Sequence, residues 1–239
     1  MRYSRRMLFE PSRVRAITID LDDTLWPIWP TIARAEAVLH AWLADRAPAT
    51  AAKYATPQAL RELRQAMAIE RPDLVHDPGA MRRESIRLAL TRAGDDPALA
   101  EPAFDVFFDE RQRVELYEDA LPALEFLVQR YPVVALTNGN SDLARVGLTH
   151  FFRHTFSASA FGIAKPDARI FHAAAAAAGV APREVLHVGD DPLLDVVGAI
   201  EAGMQAYWLS RESVAWAHGH RGQPHVVADG LHRLAEILA

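Results

Sequence analysis

A cluster of acids, Asp20-Leu21-Asp22-Asp23-Thr24, ends an apolar run near the start of the chain and could do chemistry. While the chain is still extended, residues two apart project to the same side, so Asp20 and Asp22 could act on one substrate atom. One carboxylate could attack that atom while the other handles the proton. A solubilising loop or an Asx turn would use the same residues, so this pattern alone leaves both interpretations open.

A second polar segment, Thr137-Asn138-Gly139-Asn140, follows the apolar run VVAL. It offers a hydroxyl, an amide and a glycine whose backbone can approach a ligand closely, and these donors suit phosphate oxygens. A simple turn is the alternative interpretation. Between this segment and the next, Lys165-Pro166-Asp167 opens a helix. Lys165 is either a solvated surface residue or a fixed ammonium that neutralises charge on a bound phosphoryl group.

A third segment, Gly189-Asp190-Asp191-Pro192, follows EVLHV, and Asp195 lies where the next helix begins. Acids here that faced Asp20 and Asp22 would repel them unless a hard divalent cation held the carboxylates together. Helix capping and a favourable interaction with the helix dipole are the alternative roles of Asp191 and Asp195.

The elements that must position these segments alternate along the second half of the chain. From Leu121 onward, helical segments alternate with short apolar runs, a rhythm that predicts a parallel sheet covered by helices. The run Val14 to Leu21, VRAITIDL, predicts the first strand, and ligands bind at the carboxyl ends of such strands. Six alanines, Ala173 to Ala178, predict a helix that Gly179 caps. The fold class is therefore α/β, with a Rossmann-like sheet.

A different pattern fills the region between the first and second polar segments. From Thr31 to Val114, apolar residues recur at three- and four-residue spacing and predict about four helices and no strand. We therefore expect residues 1–29 and 116–239 to form the α/β core and residues 30–115 to form an all-helical insert.

Composition excludes several classes of protein. Half of the 239 residues are apolar and 24% are charged, which is typical of a globular protein with a real core. The net charge is -5, so a nucleic acid or an anionic membrane is an unexpected partner. Cysteine is absent, which rules out disulfides, thiol catalysis and Cys-ligated zinc. Without a signal-peptide pattern or a long apolar run, a cytoplasmic location is expected.

Taken together, DLDDT, TNGN, the Lys165-Pro166 pair and GDDPLLD resemble the four motifs of the haloacid dehalogenase-like hydrolase superfamily, in order and at family spacing. The resemblance covers nearly the whole core, and the helical insert is similar to that family's cap domain. It implies a phosphatase in which Asp20 attacks a phosphate monoester and becomes an aspartyl-phosphate. Asp22 would act first as general acid and then as general base.

The resemblance also implies a role for each remaining site residue. Mg²⁺ is the implied cofactor, and its ligands would be the Asp20 carboxylate, the backbone carbonyl of Asp22 and Asp190. The phosphoryl oxygens would be bound by three consecutive residues, with Lys165 offsetting their charge; these are Thr137, Asn138 and Gly139. Asp191 and Asp195 would lie behind these groups, Asp195 orienting Lys165 or a metal-bound water.

Three segments are similar to the bacterial branch that dephosphorylates flavin mononucleotide and a phosphoribitylamino-uracil intermediate of riboflavin synthesis. They are Val75 to Gly94, Leu136 to Asn140 and Leu186 to Gly203. The expected partner is thus a small phosphorylated metabolite, bound by a monomer or a homodimer. Aromatic residues in or near the cap could stack on a flavin or uracil ring, although core packing is the commoner role of such residues; they are Trp26, Trp29, Trp42 and Tyr54.

Four alternatives remain on the same core. The substrate could be a sugar phosphate or a nucleotide, or the enzyme could be a phosphomutase. Carbon-halogen hydrolysis needs the attacking carboxylate but neither a metal nor an acid at position 22, so Asp22, Asp190 and Lys165 argue against it. A non-catalytic ligand-binding protein of the same fold is the remaining alternative, and the intact pair Asp20 and Asp22 argues against that.

Overall fold

The structure is a computed structural model that describes residues 9–213, 215–216 and 222–239. The chain divides into two compact units. The sheet unit contains the chain up to Pro27, Leu116–Gly139 and the chain from Gly147 onward. The helical unit contains Ile28–Glu115 and Asn140–Val146.

Six parallel strands form one sheet among the described residues of the sheet unit, in the spatial order β3-β2-β1-β4-β5-β6. The strands are β1 (Ala16–Ile19), β2 (Val133–Thr137), β3 (His154–Ser157), β4 (Val185–Gly189), β5 (Gln205–Leu209) and β6 (Val226–Ala228). Every residue of β1, β2, β4 and β5 is buried, because helices cover both faces of a parallel sheet. The predicted α/β fold with a parallel sheet is confirmed.

Helices make up most of the remaining regular structure. In chain order the described α-helices are α1 (Ile28–Arg46), α2 (Pro48–Lys53), α3 (Pro57–Glu70), α4 (Pro78–Ala93), α5 (Ala100–Arg111), α6 (Ala120–Val128), α7 (Leu143–Val146), α8 (Ala158–Phe161), α9 (Ala168–Ala178), α10 (Gly198–Glu201) and α11 (Arg233–Leu238). A π-helical turn, Pro192–Val197, leads into α10. Within the described residues, no helix has both the length and the apolar character needed to span a membrane.

Helix α9 shows how an alanine-rich segment packs against the sheet. Asp167 caps its first turn by accepting a hydrogen bond from the Arg169 N–H, and Gly179 ends it with a positive φ of 79°. Ile170 and Phe171 are fully buried in the same cluster as residues of β1, β2 and β4. The predicted alanine helix and its glycine cap are confirmed.

The helical unit has its own core. Leu39, Leu43, Leu90 and Phe104 belong to a buried cluster that draws on α1, α4 and α5. Long apolar side chains at helical spacing explain why these segments were predicted as helices. The assignment of this unit as a cap over a catalytic core stays a prediction.

One segment lies in a different unit from the one predicted. Residues 140–146 were expected in the core, but Asn140–Val146 belongs to the helical unit. The reason is polar contact with α5 and the residue after it. The Asn140 Oδ1 accepts from Arg111 Nε at 3.1 Å, and the Asp142 N–H donates to Gln112 Oε1 at 2.8 Å.

Four short elements were not predicted; they are the strand β3 and the helices α2, α7 and α8. Strand β3 is four residues long and half-exposed at the sheet edge, so it lacks the buried apolar run that revealed the other strands. Helix α2 has six residues, too few to show helical periodicity, so the insert has five described helices where about four were expected. Proline at its first position starts this helix.

Candidate active site

The predicted site residues all line one cavity of about 180 Å³ in the sheet unit. The set comprises Asp20, Asp22, Thr137, Asn138, Gly139, Lys165, Asp190, Asp191 and Asp195. It comes together because Asp20 directly follows β1, Thr137 ends β2 and Gly189 ends β4. These strands are neighbours in the sheet, so their carboxyl ends open on the same side.

Lys165 is a buried ammonium that joins two acids. Its Nζ lies 2.6 Å from Asp20 Oδ1 and 2.5 Å from Asp195 Oδ1, and the residue is only 3% exposed. Burial opposes the charging of Lys165, but the charges of Asp195 and Asp20 outweigh it and hold its pKa above the ordinary value. The alternative of a solvated surface lysine is therefore wrong.

The pKa values of the two acids that contact Lys165 are shifted in opposite directions. Burial raises the pKa of Asp20 well above its ordinary value; the charge of Lys165 opposes this rise, and the charges of Asp195 and Asp190 add to it. Burial acts in the same sense on Asp195, but Lys165 and a hydrogen bond from His187 outweigh it and hold the pKa of that carboxyl below its ordinary value. Asp195 therefore keeps its charge, whereas the ionised form of Asp20 is disfavoured in the absence of a further cation.

Asp190 is the third acid of this cluster. Its Oδ1 accepts a hydrogen bond of 3.0 Å from the Thr24 hydroxyl, and its backbone carbonyl accepts from Trp208 Nε1 at 2.8 Å. Burial and the charge of Asp195 raise the pKa of Asp190 to about 7. The loop after β4 is thus held in place by β5 and by the loop after β1, but ionisation of the Asp190 carboxylate is unfavourable.

Asp22 is fixed by an aromatic side chain. The Trp26 indole Nε1 donates to Asp22 Oδ1 at 2.8 Å, and Trp26 itself is fully buried. Asp23 lies between them with a φ of 58°, which produces the tight turn that brings the chain back toward Asp22. Of the two roles considered for Trp26, the structure favours core packing over stacking, because a buried ring that holds Asp22 has no face for a ligand.

The segment after β2 is organised by hydrogen bonds of its own. The Gly139 N–H donates to Thr137 Oγ1 at 2.9 Å, so the Thr137 hydroxyl hydrogen still has to find an acceptor. The Asn138 side chain brackets the backbone of Lys165: Nδ2 donates to the Lys165 carbonyl at 3.0 Å and Oδ1 accepts from the Lys165 N–H at 2.8 Å. Asn138 therefore fixes the lysine loop.

Asp191 acts as a helix cap, and Asp195 contacts Lys165; the sequence had left both roles open. Asp191 caps the π-helical turn by accepting from the N–H groups of Leu193 and Leu194, at 2.8 and 2.7 Å. Its own N–H donates to Asp195 Oδ2 at 3.0 Å. Asp195 lies directly over Gly189, where a Cβ atom would come within 2.3 Å of Asp195 Cγ. A glycine is therefore required at the end of β4.

The donors of the cavity suit a hard divalent cation. Asp20, Asp190 and Asp195 each offer an oxygen, and these three atoms lie within 4.8 Å of one another. Both oxygens of Asp195 already accept hydrogen bonds, Oδ1 from Lys165 and His187 and Oδ2 from Asp191. Asp20 and Asp190 are the better ligands, and a cation between them would relieve the crowding that raises their pKa values. The backbone carbonyl of Asp22 as a third ligand stays a prediction.

Sequence reasoning missed several residues that support the site. Thr24 and Trp208 hold Asp190, and Trp26 holds Asp22. His187 contacts Asp195 from within β4, and Thr18 contacts His187 from within β1. A polar residue inside an otherwise apolar strand was the available signal for His187, since a histidine is expensive to bury without partners.

Comparison with known proteins agrees with this geometry. The sequence matches the haloacid dehalogenase-like hydrolase family over residues 14–203. It is 35% identical, over 95% of this chain and 97% of the relative, to the 5-amino-6-(5-phospho-D-ribitylamino)uracil phosphatase YigB of Escherichia coli. It is 42% identical to the phosphoserine phosphatase of Thermus thermophilus, over 56% of each chain.

A solved structure is also similar over almost the whole chain. The structure described as a 2-haloacid dehalogenase from Pseudomonas syringae superposes with a TM-score of 0.85 at 36% identity, covering 94% of this chain and 98% of that one. Residues 14–203, which match the family, include the loops after β1, β2 and β4 that line the cavity. On the family match and these relatives, the chain belongs to the haloacid dehalogenase-like hydrolase family.

Proposed function

We propose that this hydrolase is an Mg²⁺-dependent phosphatase that cleaves a small phosphate monoester through an aspartyl-phosphate on Asp20. The observation that carries the proposal is the arrangement around Asp20. A carboxylate lies 2.6 Å from a buried ammonium, in a cavity that also holds Asp22 and the crowded acid Asp190. A nucleophile, an acid/base and a charge-neutralising group are thereby gathered in one place.

Asp20 would attack the phosphorus atom, and the bond to the leaving alkoxide would break as the new P–O bond forms. Asp22, protonated at that moment, gives its proton to the alkoxide. Asp22 is then the base that takes a proton from water, which attacks the aspartyl-phosphate and releases inorganic phosphate and Asp20. The Trp26 bond to Asp22 Oδ1 holds the carboxyl group in one orientation for both steps.

Lys165 and Thr137 would bind the transferring phosphoryl group. The Lys165 ammonium is fixed by Asp195 and lies against Asp20, so it offsets negative charge where the phosphoryl group arrives. The Thr137 oxygen accepts a hydrogen bond from the Gly139 N–H. Its hydroxyl hydrogen can therefore be donated to a phosphoryl oxygen. Mg²⁺, held by Asp20, Asp190 and the Asp22 carbonyl, would supply positive charge that offsets the charges of the acids and the phosphate.

The substrate we propose is a riboflavin-pathway phosphate, either the 5-phosphoribitylamino-uracil or flavin mononucleotide. Similarity to the Escherichia coli phosphatase over 95% of the chain supports this choice. Among the predicted stacking residues, Trp29 is the best candidate, because it is 55% exposed and the Arg61 guanidinium covers one face at 4.3 Å. Trp42 packs against the core cluster of the helical unit, as the alternative interpretation expected.

Dehalogenation is a second candidate, because the solved structure with a TM-score of 0.85 carries that description. Displacing a halide needs an attacking carboxylate, but a halide leaves without a proton, so it needs no acid at Asp22. In an enzyme without a metal, nothing would offset the unfavourable ionisation of Asp190, whose pKa is raised. These two acids favour the phosphatase.

The test is a substrate panel with purified protein. Phosphate release is measured with and without Mg²⁺ for the phosphoribitylamino-uracil, flavin mononucleotide, sugar phosphates, nucleotides and phosphoserine, and halide release is measured for 2-chloropropionate. We expect Mg²⁺-dependent phosphate release, fastest with the two riboflavin-pathway substrates, and none from Asp20→Asn, whose amide is nearly isosteric but a poor nucleophile. Preference for a sugar phosphate would overturn the substrate but not the chemistry. Full activity of Asp20→Asn would overturn the chemistry, and no phosphate release from any ester would favour a non-catalytic protein.

A further inference from the structure

Behind the cavity, a chain of buried hydrogen bonds leads from Asp20 into the centre of the sheet. Lys165 Nζ contacts Asp20 Oδ1 and Asp195 Oδ1. The same Asp195 oxygen lies 3.0 Å from His187 Nε2, and His187 Nδ1 lies 2.8 Å from Thr18 Oγ1. Asp195, His187 and Thr18 are each 1% exposed or less. The proposed mechanism assigns no step to His187 or Thr18.

Strand register explains why these side chains meet. Thr18 of β1 and His187 of β4 are direct partners in the parallel ladder. Alternation along a strand puts Thr18 on the same face as Asp20, and His187 on the same face as Gly189. The missing side chain of Gly189 leaves the space that Asp195 fills, so Asp195 comes to rest against His187.

The hydrogen-bond roles along this chain can be assigned from the charges. Asp195 is ionised and only accepts, so His187 Nε2, which faces it, must carry a hydrogen. Burial lowers the pKa of His187, which keeps the imidazole neutral despite the nearby Asp195. Nδ1 then has a lone pair and accepts from the Thr18 hydroxyl. The Phe171 ring meets the imidazole edge to face at 5.1 Å and closes its remaining side.

We propose that His187 is a positioning residue for the phosphoryl transfer. Held by Thr18 as the neutral Nε2–H tautomer, it fixes the carboxylate of Asp195, which in turn fixes the Lys165 ammonium against Asp20. Without this support, Asp195 would keep only Lys165 and the Asp191 N–H as partners, and the ammonium would lose its single orientation. This inference rests on the proposed phosphatase activity for its kinetic test but not for its spectroscopic one.

The first test is spectroscopic and needs no substrate. A two-bond ¹H–¹⁵N correlation spectrum of the full-length protein with Mg²⁺ at pH 7.5 reports which ring nitrogen of each histidine carries hydrogen. The His187 signals are assigned as those missing from His187→Gln. We expect a protonated Nε2 and an unprotonated Nδ1. The opposite tautomer, or an imidazolium with both nitrogens protonated, would overturn the inference, even if the protein proves to have no phosphatase activity.

The second test is kinetic, with matched variants. His187→Leu removes the donor, and loss of such a supporting partner costs about 10- to 100-fold in activity, here expected in kcat with KM changed less than about twofold. His187→Gln places an amide N–H near the Nε2 position, and we expect it to recover most of the loss. The exposed His172 also bonds through Nε2, to the Ala202 carbonyl, but outside the site, so His172→Leu should keep the wild-type kcat.

Two outcomes separate positioning from simple packing. If His187→Leu and His187→Gln lose kcat equally, or if folded His187→Leu keeps it, the donor does not matter and the inference fails. Should His187→Leu not fold, Thr18→Val replaces it, because valine is isosteric and removes only the hydroxyl. We expect a loss of about threefold or more in kcat with Thr18→Val and none with Thr18→Ser. Wild-type kcat in Thr18→Val would then overturn the inference.

Discussion

Among the described residues, each unit holds a buried cluster of ions, and these two clusters carry opposite surplus charge. In the sheet unit, Asp20, Asp190 and Asp195 lie close together, and the Lys165 ammonium forms ion pairs with Asp20 and Asp195. In the helical unit, the carboxylate of Glu36 on α1 accepts from three guanidinium groups on α3 and α4; they belong to Arg61, Arg64 and Arg82. The sheet-unit cluster therefore has more acids than cations, and the helical-unit cluster has more cations than acids.

The pKa values show which of the two clusters keeps its surplus groups charged at neutral pH. Burial opposes ionisation of Glu36, but the three arginines outweigh it, and the pKa of Glu36 lies below its ordinary value. Burial and the charge of Arg64 lower the pKa of Arg82 to about 9, so it remains charged at pH 7. Arg61 and Arg64 are about a fifth exposed, at 18% and 20%, so water solvates their charge.

Both clusters disfavour their surplus charges, but Arg82 stays charged at pH 7, whereas the pKa of Asp190 is raised to about 7, close to neutral pH. Asp20 and Asp190 both have raised pKa values, which means that the fold disfavours their ionised forms. The contrast indicates that the helical-unit cluster ties three helices together, whereas the sheet-unit cluster gives up stability for chemistry.

The largest effect that tests this contrast is expected from Asp22→Asn. Loss of a general acid/base lowers kcat about 10²- to 10⁴-fold, while the fold should persist because the amide can still accept from Trp26. The measurement is kcat for p-nitrophenyl phosphate against an alkyl phosphate. If formation of the aspartyl-phosphate limits the rate, the activated ester should be much less affected; if its hydrolysis limits, both should lose equally. Unchanged kcat with both esters would remove Asp22 from the mechanism.

The next effect is expected at Gly189. In Gly189→Ala, the new Cβ would lie 2.3 Å from Asp195 Cγ, so Asp195 must move away from Lys165 and His187. Overpacking of this kind costs about 1–3 kcal/mol of unfolding free energy, and kcat should fall with it. Urea unfolding and phosphate release check both. Gly179→Ala is the control for a glycine outside the site; it should destabilise through its positive φ of 79° and leave kcat unchanged. A Gly189→Ala variant with normal stability and kcat would contradict the packing argument.

Glu36→Gln tests the helical-unit cluster, and its effect should depend on pH. Removing the anion leaves three guanidinium groups without a counter-charge, at a cost of about 2 kcal/mol once their partial solvation is considered. Because the pKa of Glu36 is lower in the folded state, its contribution is full above the unfolded pKa of about 4.3 and is lost as pH falls through the folded value.

The check for Glu36→Gln is urea unfolding of both proteins at pH 7 and near pH 3. The difference in unfolding free energy should be largest at pH 7 and should shrink at the acidic end. A difference that stays constant across that range would mean that Glu36 contributes through packing or neutral hydrogen bonds rather than through its charge. Wild-type kcat is expected of this variant with p-nitrophenyl phosphate, since Glu36 is not among the residues that line the cavity.

The sequence predicted which acids come together at one cavity, but not the residues that support them, for a physical reason. Asp20, Thr137 and Asp190 end apolar runs, and parallel strands bring such ends together whatever the register. The link from Thr18 to His187 depends on which residues of β1 and β4 are partners, and no local pattern fixes that register. Trp26 was considered only as a core or stacking residue, because its aromatic character was visible but the turn that returns it to Asp22 was not.

The smallest of the expected effects is a rise in Tm on adding Mg²⁺, which should depend on the sheet-unit cluster and not on the helical-unit cluster. A cation that binds only the folded protein stabilises it by about 1.4 kcal/mol at tenfold excess over its Kd, which in a chain of this size raises Tm by about 3–6 °C. Asp190→Asn should abolish the rise because it removes a ligand, whereas Glu36→Gln should lower Tm and keep the rise. Differential scanning fluorimetry in EDTA and in Mg²⁺ measures all three proteins. An equal rise in wild type and Asp190→Asn would show that the cation binds elsewhere, and the surplus of acids around Asp20 would then need another explanation.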